Sequence, residues 1–223
     1  MTKRIVAIMQ PYFMAYAGYY RLLAAVDDFV IFDCVQFPRR GWVHRNRLPN
    51  ATGEASWLTL PLAPAPFEAR IDAMVFAADA RARLDEQCRR FPSLAEPTDA
   101  ARLALDAGGL SGPLADYLER QLETIRDLLG FRCRLLRSSS LEIAPHLRAQ
   151  DRILSILARL EATDYVNAPG GRALYDETAF AAVGRRLHFL PDHQGSNWSL
   201  LHELATRPVL EIAAHIQSQT PTY

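Results

Sequence analysis

The fold is decided between Arg4 and Leu23, where the sequence reads RIVAIMQPYFMAYAGYYRLL. Ile5–Met9 form an apolar run without alternation, which is typical of a strand covered on both faces of a parallel sheet. Pro11 ends this strand, and Gly18 lies where a helix is expected to begin. Open α/β sheets bind ligands at such strand-to-helix junctions, and the N–H groups of a helix start favour anions. The stretch therefore predicts an α/β fold with a ligand site close to Gly18.

The composition excludes several classes of protein. The 25 basic and 25 acidic side chains cancel, so no long-range field would attract nucleic acid or an anionic membrane. The three cysteines, Cys34, Cys88 and Cys133, lie far apart without a C-x-x-C pattern, which argues against a disulfide framework and a thiolate metal site. No apolar stretch reaches the roughly 20 residues of a membrane helix. We expect a cytoplasmic protein without membrane insertion and without a bound metal.

Strands and helices alternate along the chain, which predicts a Rossmann-like α/β fold with a mostly parallel sheet. A second strand is expected within Asp27–Phe37, so that a first βαβ unit is complete by about Phe32 and Gln10 and Asp33 face one crevice. WLTLPL (57–62) and RIDAMVF (70–76) are predicted as two further strands. The predicted organisation is a first α/β half over residues 1–78, a helical insertion over 79–130, and a second α/β half with C-terminal helices over 131–223.

The loop after the second strand contains four arginines within nine residues, together with Trp42. Guanidinium groups bind phosphate oxygens in a bidentate manner, and an aromatic ring can stack on a base or sugar. The pattern indicates a nucleotide or pyrophosphate ligand. A solvated basic loop that pairs with acids elsewhere is the alternative, because arginine-rich surfaces are common.

Asp33 and His44 are the candidate catalytic residues. Asp33 follows the second strand, where side chains point into the crevice of an open sheet, although Asp in this position is often only a turn cap. His44 has an ordinary pKa suited to general base catalysis, but it could equally serve as a hydrogen-bonding scaffold. Cys34 is a weaker candidate, because a cysteine without a positioned histidine is usually a small buried apolar residue.

Five stretches together carry a resemblance to a known family. They read IMQPYFMAYAGYYRLL, VDDFVIFDCVQFPRRGWVHRNRL, WLTLPL, SSSLEIAPHLRAQDRILSILARLEATDYVNAPGGRALYD and WSLLHEL. In this order they resemble the WbqC-like family, which is associated with bacterial surface-polysaccharide gene clusters for O-antigen and lipopolysaccharide. Its members are described as transferases, in some cases of glycine. The resemblance implies cytoplasmic work on a sugar nucleotide or sugar amine.

The resemblance also points to particular residues as substrate-binding. They are Gln10, Tyr12, Tyr16, Gly18, Tyr19, Gln36, Arg40, Trp42, Arg45, Asn46, Arg47, Asp151, Gly170, Gly171 and Tyr175. The chain departs from the family pattern at three positions: Cys34 replaces a second acid, His44 replaces an Asn, and Ala15 replaces a Pro. The loss of an acid at position 34 leaves Asp33 without a partner for a two-carboxylate mechanism.

The first strand and glycine-containing helix start also look like the Rossmann-like HxGH nucleotidyltransferases. Tyrosines stand here where those enzymes use histidines, and tyrosine cannot carry positive charge to ATP phosphates.

We therefore expect a transferase that attaches a small acyl or aminoacyl group, with glycyl as one candidate, to an amino sugar on a nucleotide carrier. An ATP-dependent nucleotidyltransferase-like enzyme and a non-catalytic sugar-nucleotide-binding protein are the alternatives. The expected partner is a nucleotide-linked sugar. A nucleotide or an activated acyl or aminoacyl donor is left open as a cofactor, nucleic acid is expected only as the carrier of an aminoacyl donor, and a homo-oligomer is left open.

Overall fold

The computed structural model describes residues 3–223, which form a parallel sheet flanked by helices and a separate two-stranded hairpin. The strands are β1 (Ile5–Met9), β2 (Asp28–Ile31), β3 (Arg45–Pro49), β4 (Ala55–Thr59), β5 (Arg134–Arg137), β6 (Asp164–Asn167) and β7 (Arg186–Phe189). The α-helices are α1 (Ala17–Ala25), α2 (Ala80–Cys88), α3 (Asp99–Asp106), α4 (Leu114–Leu128), α5 (Ala149–Arg159), α6 (Glu177–Ala182), α7 (Leu200–Thr206) and α8 (Val209–Ser218).

The sheet has the order β5-β2-β1-β6-β7, and each neighbouring pair is parallel. The chain thus builds outward from β1 to β2 and β5, then returns to the other side of β1 for β6 and β7. This is the doubly wound arrangement of Rossmann-like folds, and it confirms the predicted fold class. The strand order reverses between β1 and β6, so ligands are expected at the carboxyl ends of these two strands.

Two apolar cores cover the two faces of the sheet. Successive residues of β1 contribute to different cores, because neighbouring side chains of a strand point to opposite faces of the sheet. Ala7 belongs to the larger core, which includes residues of α1, α3, α4, α7, α8 and the hairpin. Val6 and Ile8 belong to the smaller core, which includes residues of α5 and α6. Coverage of both faces explains why β1, and β2 after its first residue Asp28, are apolar rather than alternating.

The second strand lies where the sequence predicts it, within Asp27–Phe37 and complete by about Phe32. It runs from Asp28 to Ile31, and Ile31 is paired with Met9 of β1 and Arg137 of β5. Both partner strands end at these residues, so a longer β2 would have no ladder to join. The apolar residues that follow belong to a loop whose backbone bonds to residues 69–72.

The predicted strand over 70–76 is instead a short 3₁₀ turn, Ile71–Ala73, followed by extended chain. Ile71 and Met74 are both buried, and their spacing of three residues suits a 3₁₀ turn rather than the alternation of a strand. The predicted strand at 57–62 is confirmed in part, since β4 covers Ala55–Thr59. Its partner is β3, in an antiparallel hairpin.

The predicted helical segment is confirmed by α2, α3 and α4, which all lie between residues 79 and 130. One face of α4, including Leu114, Leu118 and Ile125, is buried in the larger core. That core also contains residues from before and after this segment. The division into units at residues 78 and 130 stays a prediction. Over residues 3–223, no helix combines the length and apolar character needed to cross a bilayer.

Candidate functional site

A cleft of about 410 Å³ opens where the strand order reverses, at the carboxyl ends of β1 and β6. Its lining includes Gln10, Phe32, Asn167, Gly170, Gly171 and Tyr175. We call it the switch-point cleft. Four of the predicted substrate-binding residues therefore meet in one place, although they come from distant parts of the sequence. Asp151 does not line it and lies exposed in the first turn of α5.

Two glycines in the wall of the cleft have different surroundings. A Cβ atom added at Gly171 would lie 2.6 Å from Nδ2 of Asn167, whereas a Cβ at Gly170 would meet nothing within 4 Å. The Asn167 side chain is fixed from its other end, because its Oδ1 accepts a hydrogen bond of 2.7 Å from the Ala168 N–H. The absence of a side chain at Gly171 thus allows the Asn167 amide to pack against the backbone at the cleft. At Gly170, no other protein atom occupies the space where a side chain would lie.

The loop that follows β1 is held by buried polar side chains from three other elements. Met14 in this loop has a φ of +46°, a backbone conformation that is strained for a non-glycine residue. Its N–H donates to Oε1 of Gln121 at 2.9 Å, and its carbonyl accepts from Oγ of Ser199 at 2.8 Å and from the amide of Asn46. The loop is therefore fixed in one conformation, and Asn46 is a support of the site.

Aromatic residues fix the loop further. The Tyr19 hydroxyl donates to the Gln10 carbonyl at 2.9 Å, and the Tyr12 and Tyr19 rings are 5.8 Å apart. Gly18 is buried, and a Cβ there would lie 2.3 Å from the Tyr16 ring and 2.9 Å from His193. Gly18 is thus required for close packing beneath Tyr16.

Arginines and tryptophans interleave on the exposed side of the hairpin. The Arg45 guanidinium lies 4.2 Å from the centre of the Trp57 ring, and that of Arg47 lies 5.1 Å from Trp42 and 5.7 Å from Trp57. The two indole rings are 5.0 Å apart, and Tyr12 is 5.5 Å from Trp42. We call these five residues the guanidinium–indole face. Through Tyr12 it adjoins the loop whose Gln10 lines the switch-point cleft.

The cations of this region are available to an anion. Within residues 3–223, no ion pair joins Arg40, Arg45 or Arg47 to an acidic side chain. Arg45 donates only to the backbone carbonyls of Arg40 and Gly41, at 2.6 and 3.1 Å. A guanidinium stacked on a ring keeps its edge N–H groups free for phosphate oxygens. The predicted substrate-binding residue Gln36 does not belong to the guanidinium–indole face, and its side chain donates to the Phe67 carbonyl.

Asp33 is fully buried and occupied by protein donors. Its carboxylate accepts from Nε of Arg137 at 2.7 Å, from the Ser138 hydroxyl at 2.9 Å, and from the N–H and hydroxyl of Ser139 at 2.9 and 2.7 Å. These four bonds join the end of β2 to the end of β5. Asp33 therefore does not line the crevice with Gln10. Our sequence reasoning assigned no role to Arg137, Ser138 and Ser139, whose signal is a run of hydroxyl residues directly after a strand.

His44 lies apart from Asp33, and the described residues show no hydrogen bond between the two side chains. Its ring packs 5.0 Å from Phe37, and Nδ1 is buried without a hydrogen-bond partner. Burial, assisted by the nearby Arg45 charge, lowers the pKa of His44 from 6.5 to about 4. The imidazole is consequently neutral near pH 7. Among residues 3–223, no group of three His, Cys, Asp or Glu side chains is arranged to hold a metal ion.

The comparison with known families rests on residues 10–203, which match the WbqC-like protein family. The chain belongs to this family. The match begins at Gln10 in the switch-point cleft and extends past Ser199, the residue that holds Met14. The shared sequence of this WbqC-like protein therefore includes the loop after β1, the guanidinium–indole face and the wall at Gly170 and Gly171.

One relative of this WbqC-like protein is the uncharacterized protein Rv1507c of Mycobacterium tuberculosis. The two are 27% identical over 235 aligned residues, which cover 98% of this chain and 96% of the relative. The similarity thus extends over both chains almost completely. No solved structure matches the chain significantly.

Proposed function

We propose that this WbqC-like protein is a cytoplasmic transferase that attaches a small acyl or aminoacyl group to an amino sugar carried on a nucleotide, in the synthesis of a surface polysaccharide. The observation that carries this proposal is that one loop contributes Gln10 to the switch-point cleft and Tyr12 to the guanidinium–indole face. A Rossmann-like sheet binds nucleotides at this edge, and cations without acidic partners beside it suit the two phosphates of a sugar nucleotide.

The proposed division of the substrate follows from the chemistry of the two regions. Few polar groups line the switch-point cleft, and none of its lining residues is charged, which suits a base or sugar ring. Arg45 and Arg47 present guanidinium groups over exposed indoles, which suits phosphate. The fixed loop between these regions, with Gln10 and Tyr12, would set the distance between ring and phosphates.

The reaction needs an acceptor for one proton. The sugar amine attacks the acyl carbonyl, a C–N bond forms, the bond from the acyl carbon to its carrier breaks, and the amine loses a proton. Of the two predicted bases we retain His44, because its ring makes no hydrogen bond within the described residues whereas the Asp33 carboxylate is already bound by four donors. Asp33 would then act as a positioning residue.

The experiment is to incubate the protein with nucleoside-diphosphate-linked amino sugars and activated acyl or aminoacyl donors, and to measure product mass. A sugar nucleotide heavier by the acyl or aminoacyl group, formed only with protein present, is the expected result. Absence of any such product across donors that bind would contradict the proposal.

A matched pair of variants tests where the nucleotide sugar binds. Gly171→Ala should weaken its binding by about tenfold or more, because the new methyl displaces the Asn167 amide beside the cleft and hydrogen bonds there are worth about 1 kcal/mol or more each. Gly170→Ala adds a methyl that meets no protein atom and leaves the Asn167 amide in place, so it should weaken binding less than Gly171→Ala. Isothermal titration calorimetry measures both. Equal affinities for the two variants would place the ligand elsewhere.

The second candidate is a sugar-nucleotide-binding protein without catalysis. The complete hydrogen bonding of Asp33 favours it, since only His44 then remains of the two predicted bases. Under this alternative, binding of the nucleotide sugar would persist and depend on Gly171, but no donor would yield a heavier product.

A further inference from the structure

A second pocket, of about 480 Å³, lies at the open end of the hairpin. Thr59 lines it and pairs with Arg45 across the hairpin, so the pocket begins where the guanidinium–indole face ends. We call it the His44 pocket. Its apolar walls include Phe37, Leu60, Leu62 and Met74.

The charged groups of the His44 pocket are all cationic. Arg39 and Arg83 line it, and none of its lining residues within the described chain is acidic. One nitrogen of Arg39, Nη2, donates to the carbonyls of Ala65 and Pro66, and its other nitrogens have no partner among the described residues. Arg83 lies 3.5 Å from Asp79, but both side chains are more than half exposed, so this pair is weak.

His44 completes the pocket with an uncharged polar group. Nδ1 is closed off from solvent, so a ligand in the pocket does not reach it, whereas Nε2 is accessible and makes no hydrogen bond within the described residues. The pocket thus combines apolar walls, two guanidinium groups and an imidazole with spare hydrogen-bonding capacity.

We propose that the His44 pocket binds a short aliphatic carboxylate that carries no amino group. The walls match an alkyl chain, and the guanidinium groups match a carboxylate. An α-ammonium group would lie close to two guanidinium groups, and the only acid paired with either of them is the exposed Asp79 beside Arg83, which does not line the pocket; this disfavours free amino acids. This binding is proposed independently of the transfer reaction, and it assigns the acid no role in that reaction.

The decisive probes are hexanoate and 2-aminohexanoate, which differ only by the amino group. Titration of the full chain, followed by calorimetry and by the ¹⁵N resonances of the His44 ring, should show hexanoate binding about tenfold tighter, because an uncompensated charge–charge contact costs about 1.4 kcal/mol or more. Equal or tighter binding of the amino acid, or no binding of hexanoate, would overturn the proposal. Tighter binding of hexyl phosphate than hexanoate would also overturn it, in favour of a phosphate ester.

Variants test the location. Arg83→Gln should weaken hexanoate binding by about tenfold, because it removes one of the two guanidinium groups that would contact the carboxylate. Arg89→Gln is the matched control, since Arg89 is an exposed arginine near the end of the same helix that does not line the pocket. Both positions are exposed, so circular dichroism should show intact folding for each. Equal hexanoate affinity in the two variants would show that the carboxylate does not contact Arg83, and it would contradict the proposal.

The outcome separates this proposal from the proposed function. Hexanoate is titrated without any nucleotide sugar, so its binding does not depend on transfer. If hexanoate binds as expected and no acylated sugar nucleotide forms, the transferase proposal fails, but the proposal that the His44 pocket binds a carboxylate stands. If transfer occurs but Arg83→Gln leaves hexanoate binding unchanged, the pocket proposal fails alone.

Discussion

At the scale of single residues, Asp33 illustrates how the surroundings of a carboxylate restrict its chemistry. Its two oxygens accept four hydrogen bonds from Arg137, Ser138 and Ser139 while its side chain is fully buried. A buried charge in such a network is costly to disturb, because each donor would lose its partner without gaining water. Asp33 therefore joins β2 to β5 at the edge of the sheet where the ligand is expected.

Asp33→Asn should lower the free energy of unfolding by about 3 kcal/mol, the cost of breaking a buried ion pair. The control is Asp116→Asn, since Asp116 pairs with the same Arg137 but is 39% exposed and should cost less than about 1 kcal/mol. Urea unfolding measures both. Similar losses for the two variants would show that burial of Asp33 is not what matters.

His44 gives a prediction about pH. Its pKa is about 4 in the folded protein and 6.5 when unfolded, so between these values the unfolded chain binds the extra proton. Stability is thus fully present above pH 6.5 and falls as the pH drops toward 4. His44→Gln should lose less stability than the wild type between pH 7 and pH 4.5, as measured by urea unfolding.

The comparison with His44→Gln is needed because burial also lowers the pKa of His193 and His202, and both therefore also reduce stability as the pH falls. Asp164 contributes at lower pH. Burial raises its pKa, but hydrogen bonds from Arg186, His188 and Thr163 outweigh this and bring the pKa to about 2. Parallel pH curves for the variant and the wild type would contradict the assignment to His44.

At the scale of elements, the loop after β1 depends on side chains far away in sequence. Ser199 both caps α7, accepting from the Leu201 N–H at 3.3 Å, and donates to the Met14 carbonyl at 2.8 Å. Thr98 plays a similar double role at α3, accepting from Ala101 and donating to the Leu204 carbonyl. Of the two, only Ser199 contacts the loop after β1, and it is buried whereas Thr98 is exposed.

Ser199→Ala and Thr98→Ala should therefore each lower the free energy of unfolding by about 1–2 kcal/mol, the cost of a lost helix cap and hydrogen bond. Only Ser199→Ala should accelerate hydrogen exchange within residues 12–16 and weaken nucleotide-sugar binding. Mass-spectrometric hydrogen exchange on both variants measures the difference. Unchanged exchange in the loop of Ser199→Ala would show that Gln121 and Asn46 hold Met14 without it.

The elements that could be predicted from sequence are those whose patterns are local. The apolar run of β1 and the helical spacing of α4 are both confirmed, since each depends on neighbours in the sequence. The sequence also places the end of β2 by about Phe32, and the strand ends at Ile31. That Gln10 lies close to Gly170 and Gly171 could not be predicted without knowing that β1 and β6 are neighbours in the sheet. Likewise, the hydrogen-bond partners of Asp33 could not be predicted without knowing that β5 lies next to β2.

At the scale of the whole molecule, the larger core draws on all parts of the chain. It includes Ala7 of β1, Tyr117 of α4 and Ile212 of α8. Elements that share one core usually unfold together. We therefore expect a single cooperative transition in which the helical segment does not melt separately.

Far-ultraviolet circular dichroism and the near-ultraviolet signal of the aromatic residues should give coincident urea curves. Leu118→Ala, a fully buried change in α4, should shift both curves together by about 2–5 kcal/mol. Two separated transitions, or a shift of only one curve, would instead support the helical segment 79–130 as an independent unit.

Two of the three tryptophans, Trp42 and Trp57, belong to the guanidinium–indole face. Their emission should therefore change when a compound binds at Arg45 and Arg47, so it can report whether phosphate-bearing compounds bind there. Screening by intrinsic fluorescence needs no label, and Trp198→Phe would remove the background from the remaining indole.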